Sequence, residues 1–195
     1  MKSFVLGVVF LLVSGLSNAA QTPTKVVEAA VSDIIAIAGN KALGQEEKVE
    51  GLNKAIDTYV DINASGARVL AKYARGADKE ELKTFLGLYK QVLINTYSVL
   101  LEKYENEEVL FDDEQIKKEK YATVDTTVIS GDKKIPVSYR LIFRKDEWKI
   151  YDFVAEGISM TRSFAQQYQK ILKKDGIGGL NTVITEKLNE PKEAS

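Results

Sequence analysis

Apolar residues recur at helical spacing through the first half of the chain. Thr22-Pro23 is typical of a helix N-terminus, and Gly39-Asn40 is typical of a helix end. Between them the apolar residues form two adjacent rows: Val26, Ala30, Ile34 and Ile37, beside Val27, Val31, Ile35 and Ala38. A second apolar row begins near Gln45, and a shorter one closes before Gly76. The spacing predicts three helices in this part of the chain.

The longest apolar pattern follows Asp78, which with Glu81 matches the capping pattern of a helix start. From Leu82 to Tyr104, apolar residues occupy far more of the helix circumference than the one-sided stripe of an ordinary surface helix. We therefore expect this helix to be covered on two sides, or to face a second apolar object besides the core.

From about Val109 the pattern changes from helical spacing to alternation. Alternating segments run over 124–128, 135–143 and 148–155, and polar turns separate them at 130–133 and 145–147. This predicts an antiparallel meander of three or four strands that ends at Gly157. The last strand carries apolar residues on both faces, so we expect it to be buried on both.

Two helical patterns complete the chain. One runs from Met160 to Leu172, the cluster 175–179 breaks it, and the other runs from Leu180 to Leu188. The order predicts a single α+β domain, with helices packed around a curved antiparallel sheet of about four strands. Such an arrangement either closes a core or leaves a deep apolar pocket, and periodicity alone leaves both open.

The first nineteen residues have the pattern of a signal peptide. Lys2 precedes the uncharged run Phe4 to Leu16, and Ser17-Asn18-Ala19 places small residues where a signal peptidase cuts. We assign residues 1–19 to the signal peptide and 20–195 to the domain. The run is too short for a bilayer-spanning helix, so we expect an exported, soluble protein, for which a bacterial periplasm fits best.

The residue composition then limits the kinds of binding and catalysis that the protein can perform. The chain has 27 Lys plus Arg against 28 Asp plus Glu, a net charge of −1, which argues against nucleic-acid binding. It has no Cys and no His, which excludes disulfides, thiol nucleophiles, Ser-His-Asp mechanisms and His-ligated metals. We expect no catalytic residue, no metal and no cofactor.

Three features of the sequence are candidate functional sites. The acidic run around Asp112, Asp113 and Glu114 lacks the ligand order of a calcium loop and is interpreted as a solvated face. A set of carboxylates and tyrosines could abstract protons as in isomerases: Asp61, Tyr97, Tyr139, Tyr151, Asp152 and Glu156. The surplus of apolar residues indicates either an ordinary core or an apolar ligand pocket.

The segment from Trp148 to Met160, WKIYDFVAEGISM, resembles the hallmark strand and turn of the MlaC family of periplasmic phospholipid-binding proteins, also called the toluene-tolerance auxiliary family. Other segments are similar to the pattern of that family, in the same order: Asp61-Ile62, Val69-Leu70 with Tyr73, Asp78 to Glu81, Thr96-Tyr97 with Tyr104, Ile171-Leu172 and Gly176 to Leu180. The resemblance covers about residues 24 to 188.

The resemblance implies helices around a strongly curved antiparallel sheet, and a cavity for phospholipid acyl chains. It also implies a monomeric periplasmic carrier that shuttles phospholipid between the outer and inner membranes to maintain outer-membrane lipid asymmetry. The implied partners are an inner-membrane ABC transporter with a MlaD-like subunit and an outer-membrane MlaA–porin complex. A pocket enzyme of the isomerase type, a carrier of another apolar ligand and a docking adaptor remain as alternatives.

If a cavity lies between the sheet and the long helix, one face of each element should line it. Alternate strand residues share a face, and helix residues three or four apart share a stripe. We expect Phe164 to close the far end. The predicted lipid-binding residues are Leu93, Tyr97, Leu100, Tyr139, Leu141, Phe143, Ile150, Val154 and Phe164.

The signal-peptide assignment predicts that the exported protein begins at Ala20, because Ala19 provides the small residue before the cut. N-terminal sequencing of the protein recovered from the periplasmic fraction checks this. A membrane-bound chain that keeps residues 1–19 would contradict it.

Overall fold

The computed structural model describes residues 21–102 and 104–190. In these ranges the helices are α1 (Pro23–Gly39), α2 (Gln45–Tyr59), α3 (Ile62–Leu70), α4 (Lys79–Glu102) and α5 (Met160–Asn189), with a 3-10 helix at Ala71–Ala74. The strands are β1 (Glu108–Lys117), β2 (Tyr121–Ser130), β3 (Lys133–Arg144), β4 (Glu147–Ala155) and β5 (Ile158–Ser159). The proposed signal peptide lies outside the described residues. Among the described helices, none has the length and apolar character needed to cross a bilayer.

The helix starts and the helix break lie where the sequence predicts them. The Thr22 side chain accepts a hydrogen bond from the backbone N–H of Lys25, with Pro23 in the first turn of α1. Asp78 Oδ1 accepts hydrogen bonds from the backbone N–H groups of Glu80 and Glu81 at 2.9 and 3.0 Å. The break predicted near residue 176 is a kink inside α5, where Gly176 has φ +67° and ψ −163°. Only glycine adopts that conformation at little cost.

The five strands form one antiparallel sheet in the order β1-β2-β3-β4-β5. This confirms the α+β class and the meander, and adds a strand beyond the expected end of the sheet. β5 follows Gly157 and pairs its two residues with Val154 and Ala155. Two residues are too few to show an alternating pattern, so this strand could not be recognised from the sequence.

The buried apolar side chains of the described residues form two large clusters and a small third one. The largest joins the helices around Phe85, Tyr89 and Leu93 of α4, and α2, α3 and α5 pack against that helix. This confirms that α4 is covered on more than one side. The second lies between α1 and the sheet, around Val27 and Leu141. The third joins Ala64, Ile142 and Tyr151.

A β-bulge in β4 decides which of its side chains face the helices. Leu141 pairs with Ile150, but the next residue of β3 towards the N-terminus, Arg140, pairs with Asp152. Tyr151 is therefore an extra residue, and the alternation of β4 shifts by one beyond it. Before the bulge Ile150 shares the face of Leu141, and after it Phe153 shares the face of Tyr139.

The carboxylate of Asp152 joins the sheet to the start of α5. Its Oδ1 accepts a hydrogen bond from the backbone N–H of Thr161 at 2.9 Å. Its Oδ2 accepts from Ser159 Oγ at 2.7 Å and from Arg140 Nη1 at 3.1 Å. Ser159 Oγ in turn caps α5 by accepting from the backbone N–H of Arg162. Asp152 is 1% exposed, so its charge depends on these donors.

Replacement of Asp152 by Ala is expected to lower the free energy of unfolding by about 2–5 kcal/mol, because buried donors lose their acceptor. Urea unfolding followed by circular dichroism measures this change. The control is Asp113→Ala on the exposed face of β1, which is expected to change stability by about 0.5 kcal/mol or less. Equal losses in the two variants would show that Asp152 does not hold α5 to the sheet.

Candidate functional site

A first cavity of about 290 Å³, the α1 cavity, opens between α1, α2 and the sheet. It is lined by Ala30, Val31, Ile34, Ile35, Leu52, Ala55, Ile56, Tyr59, Val60, Tyr104, Glu107, Val109, Tyr139, Ile150 and Phe153. Glu107 is the one charged residue among them. The α1 cavity is therefore suited to an apolar ligand.

A second cavity of about 360 Å³, the central cavity, adjoins the first and reaches α4. The two share the lining residues Ile34, Leu52, Ile56, Val60, Tyr139, Ile150 and Phe153. The central cavity adds Leu93, Tyr97, Leu101, Val137, Tyr151, Asp152, Ala155 and Met160. It falls within the range of ligand pockets, roughly 300–1,000 Å³. The two adjoin along these shared side chains, and together they make up an apolar space between helices and sheet.

A third cavity of about 420 Å³, the β5 cavity, lies where β4 turns into β5. It shares Tyr97, Phe153, Ala155 and Met160 with the central cavity. Its other lining residues are Thr96, Glu156, Ile158, Ser163, Phe164 and Gln167. The apolar space therefore runs from the α1 side of the molecule to the β4–β5 turn, where its lining becomes more polar.

Tyr97 and Tyr139, which line the central cavity, are neutral groups. Burial raises the pKa of the Tyr97 phenol to about 12, and the nearby Asp152 carboxylate adds to the shift. Burial also raises the pKa of Tyr139 above its usual value. The Tyr97 ring packs edge-on against Phe153, with ring centroids 5.3 Å apart. Both tyrosines therefore present mainly apolar surface, with hydroxyl groups that stay protonated at neutral pH.

Three of the six side chains considered for acid–base chemistry, Asp61, Tyr151 and Asp152, have a structural partner. Asp61 caps α3 by accepting from the backbone N–H of Ala64 at 2.8 Å. The guanidinium carbon of Arg68 lies over the Tyr151 ring, 3.5 Å from the ring centroid. Asp152 holds the start of α5, as described above. These contacts account for the three side chains without a substrate.

The structure brings Leu93, Tyr97, Tyr139, Ile150 and Phe164 to the cavity lining. Leu93 and Tyr97 reach the central cavity from α4, and Tyr139 and Ile150 reach it from the sheet. Phe164 lines the β5 cavity, and its closing of the apolar space stays a prediction. The side chain of Leu100 lies outside the described part of the chain.

Leu141, Phe143 and Val154 lie elsewhere than expected. Leu141 is fully buried in the cluster between α1 and the sheet, and the Phe143 ring packs on Trp148 with centroids 5.1 Å apart. Leu141 and Phe143 lie on the same face of the sheet as Tyr139, but α1 covers the end of the face where these two residues lie. Val154 pairs with Ser138, the neighbour of Tyr139, and so lies on the opposite face of the sheet from Tyr139. The bulge at Tyr151 is the cause, because it reverses the alternation of β4.

Sequence reasoning missed the contribution of the first two helices and of Phe153. Ile34, Leu52, Ile56 and Val60 line both the α1 cavity and the central cavity. The signal was present in the double apolar row of α1, which exceeds a one-sided stripe just as α4 does. Like α4, α1 carries apolar residues on more than one side, a pattern that predicts a second apolar neighbour for this helix.

The comparisons with known proteins agree with this architecture. The family model described as MlaC protein matches residues 27–186. The intermembrane phospholipid transport system binding protein MlaC of Haemophilus influenzae is 25% identical over 138 residues, which span 68% of this chain and 64% of that protein. Toluene tolerance protein ttg2D of Pseudomonas putida is 26% identical over 167 residues, 83% of this chain and 78% of that protein.

A solved structure has the same fold. It is a phospholipid-binding protein from Ralstonia solanacearum in complex with a phospholipid, with a TM-score of 0.74 and 22% sequence identity. The match covers 84% of this chain and 95% of that one. The family model extends over most of the chain, from α1 through α5. The chain therefore belongs to the MlaC family.

Proposed function

We propose that this protein is a periplasmic phospholipid carrier that moves lipid between the outer and inner membranes and so maintains outer-membrane lipid asymmetry. The observation that carries the proposal is the apolar space made up of the adjoining α1, central and β5 cavities. A relative in Haemophilus influenzae is named as the binding protein of an intermembrane phospholipid transport system. The structure from Ralstonia solanacearum that shares this fold holds a phospholipid.

The energetics of acyl chains suit such a carrier. Two chains hold roughly thirty methylene groups, and burial of each contributes about 0.8 kcal/mol, or on the order of 24 kcal/mol in total. Non-covalent affinities saturate near −20 kcal/mol, so the protein uses only part of this free energy. Release then requires a partner that stabilises an open conformation or offers an equally apolar path.

Family membership suggests where the carrier works and with what. Residues 1–19 would direct export and be removed, which leaves residues 20–195 in the periplasm. The inner-membrane partner would be an ABC transporter with a MlaD-like subunit, and the outer-membrane partner a MlaA–porin complex. The carrier would act as a monomer and would need no catalytic residue or cofactor.

The isomerase alternative is less well supported by the geometry. Proton abstraction needs a carboxylate that is free to approach a substrate. Asp152 instead accepts three hydrogen bonds, and Asp61 caps a helix. These bonds favour a structural role for both carboxylates, which supports the carrier.

The carrier proposal predicts that the protein purifies with about one phospholipid molecule per chain, because the cavities bury apolar surface that water would otherwise contact. Native mass spectrometry gives the mass of the complex, and solvent extraction identifies the lipid. Protein that carries no lipid from a lipid-rich host would contradict the proposal. A different stoichiometric apolar molecule would support the alternative of another ligand.

Replacement of Ile34 by Asp is expected to abolish lipid retention while the protein stays folded. Ile34 is only partly buried and lines two cavities, so water can reach a charge at this position. Leu141→Asp is expected to unfold the protein instead, because Leu141 is fully buried in a close-packed cluster. Bound lipid per chain and thermal unfolding are measured for both.

The matched control is Val183→Asp, at an exposed position of α5 away from the cavities. It introduces the same charge and should keep both the lipid and the fold. If Ile34→Asp still carries a full complement of lipid, the α1 and central cavities are not the binding site.

A further inference from the structure

The two ends of the apolar space differ in their polar groups. Among the described residues that line the α1 end, Glu107 is the one that carries a charge. At the β5 end three elements supply polar side chains: Thr96 from α4, Glu156 from the turn before β5, and Ser163 and Gln167 from α5. A phospholipid bound in this space places its acyl chains in the apolar part and its headgroup where polar partners exist. This contrast favours the β5 end for the headgroup.

Glu156 is the charged group at the β5 end. Its backbone has φ +50°, followed by Gly157 at φ +80°, and its N–H donates to the carbonyl oxygen of Pro136 at 3.0 Å. This hydrogen bond holds the turn at the edge of the cavity. The side chain of Glu156 is exposed. In the part of the chain that the structure describes, the Glu156 carboxylate forms no ion pair with a lysine or arginine.

The charges along the whole apolar space have one sign. Its charged lining residues are Glu107, Asp152 and Glu156, and no lysine or arginine is among the described residues that line the three cavities. Asp152 is already paired with Arg140 at 3.1 Å, whereas Glu107 and Glu156 form no ion pair within the described residues. An anionic headgroup at either end would therefore meet a carboxylate that no described cation compensates. A headgroup that carries an ammonium group would meet a partner of opposite charge.

We infer that the β5 end selects phospholipids with a cationic amine in the headgroup, such as phosphatidylethanolamine, over anionic lipids such as phosphatidylglycerol, and that Glu156 sets this preference. The inference rests on the proposed carrier function. The Glu156 carboxylate accepts hydrogen bonds from the ammonium group. Ser163 Oγ already donates to the Ser159 carbonyl oxygen at 2.9 Å, so it too offers an acceptor. Thr96 and Gln167 supply donors for the lipid phosphate.

The size of the effect follows from the exposure of Glu156. An ion pair in contact with solvent changes a binding constant by roughly two- to five-fold. The bound lipid should therefore contain about two- to five-fold more phosphatidylethanolamine, relative to phosphatidylglycerol, than the membrane that supplied it. Added salt should weaken this enrichment, because an exposed charge is screened.

The test is a competition between the two headgroups. The mature protein is incubated with vesicles that contain equal amounts of phosphatidylethanolamine and phosphatidylglycerol with the same acyl chains. The protein is separated, its lipid is extracted, and mass spectrometry gives the ratio of the two headgroups. A ratio is independent of how much lipid each variant carries, so it reports selectivity alone.

Wild-type protein should enrich phosphatidylethanolamine, Glu156→Gln should return the ratio to that of the vesicles, and Glu156→Lys should favour phosphatidylglycerol. Glu186→Gln and Glu186→Lys, at an exposed position of α5 away from the cavities, make the same charge changes and should leave the wild-type ratio. Glu107→Gln tests the other end of the apolar space.

The outcomes separate this inference from the carrier proposal. If wild-type protein carries lipid with no headgroup enrichment, the inference is wrong while the carrier proposal stands. If Glu107→Gln abolishes the enrichment and Glu156→Gln does not, the headgroup lies at the α1 end and the assignment to Glu156 is wrong. If the protein carries no phospholipid at all, both are wrong.

Discussion

The buried carboxylate of Asp152 fixes where the sheet ends and where α5 begins, and the cavities depend on both. It accepts hydrogen bonds from β3, from β5 and from the first turn of α5. Met160 and Phe164, which follow in that helix, line the central and β5 cavities. A buried charge with this many donors has one favourable geometry, so it holds the helix start in place.

The apolar space lies between elements that the two larger clusters of buried side chains hold in place. The helices pack on one another around α4, and α1 packs on the sheet around Leu141. Leu52, Ile56 and Leu93 of the first cluster and Ile150 of the second also line the cavities. The same side chains therefore belong to a packed core and border the apolar space. Since protein interiors approach the packing density of organic crystals, this space is a departure from close packing that suits an apolar ligand.

Local sequence rules were reliable where short-range physics decides the structure. The starts of α1 and α4 followed from Thr22 and Asp78, whose side chains accept hydrogen bonds from nearby backbone N–H groups. Strict alternation identified β2, β3 and β4, because side chains of a strand point to opposite faces in turn. The same rule failed for Val154, because the extra residue at Tyr151 shifts the phase and leaves no mark in the apolar pattern.

The class of fold, the order of its elements, the absence of Cys and His chemistry and the resemblance to the MlaC family all follow from residue types and their spacing, so the sequence was enough to predict them. Which apolar faces close a core and which line a cavity became clear from the three-dimensional packing. Leu141 and Tyr139 have the same pattern and the same face, yet one is covered by α1 and the other borders the apolar space. Periodicity reports that a side chain avoids water, but what lies opposite it depends on elements distant in the chain.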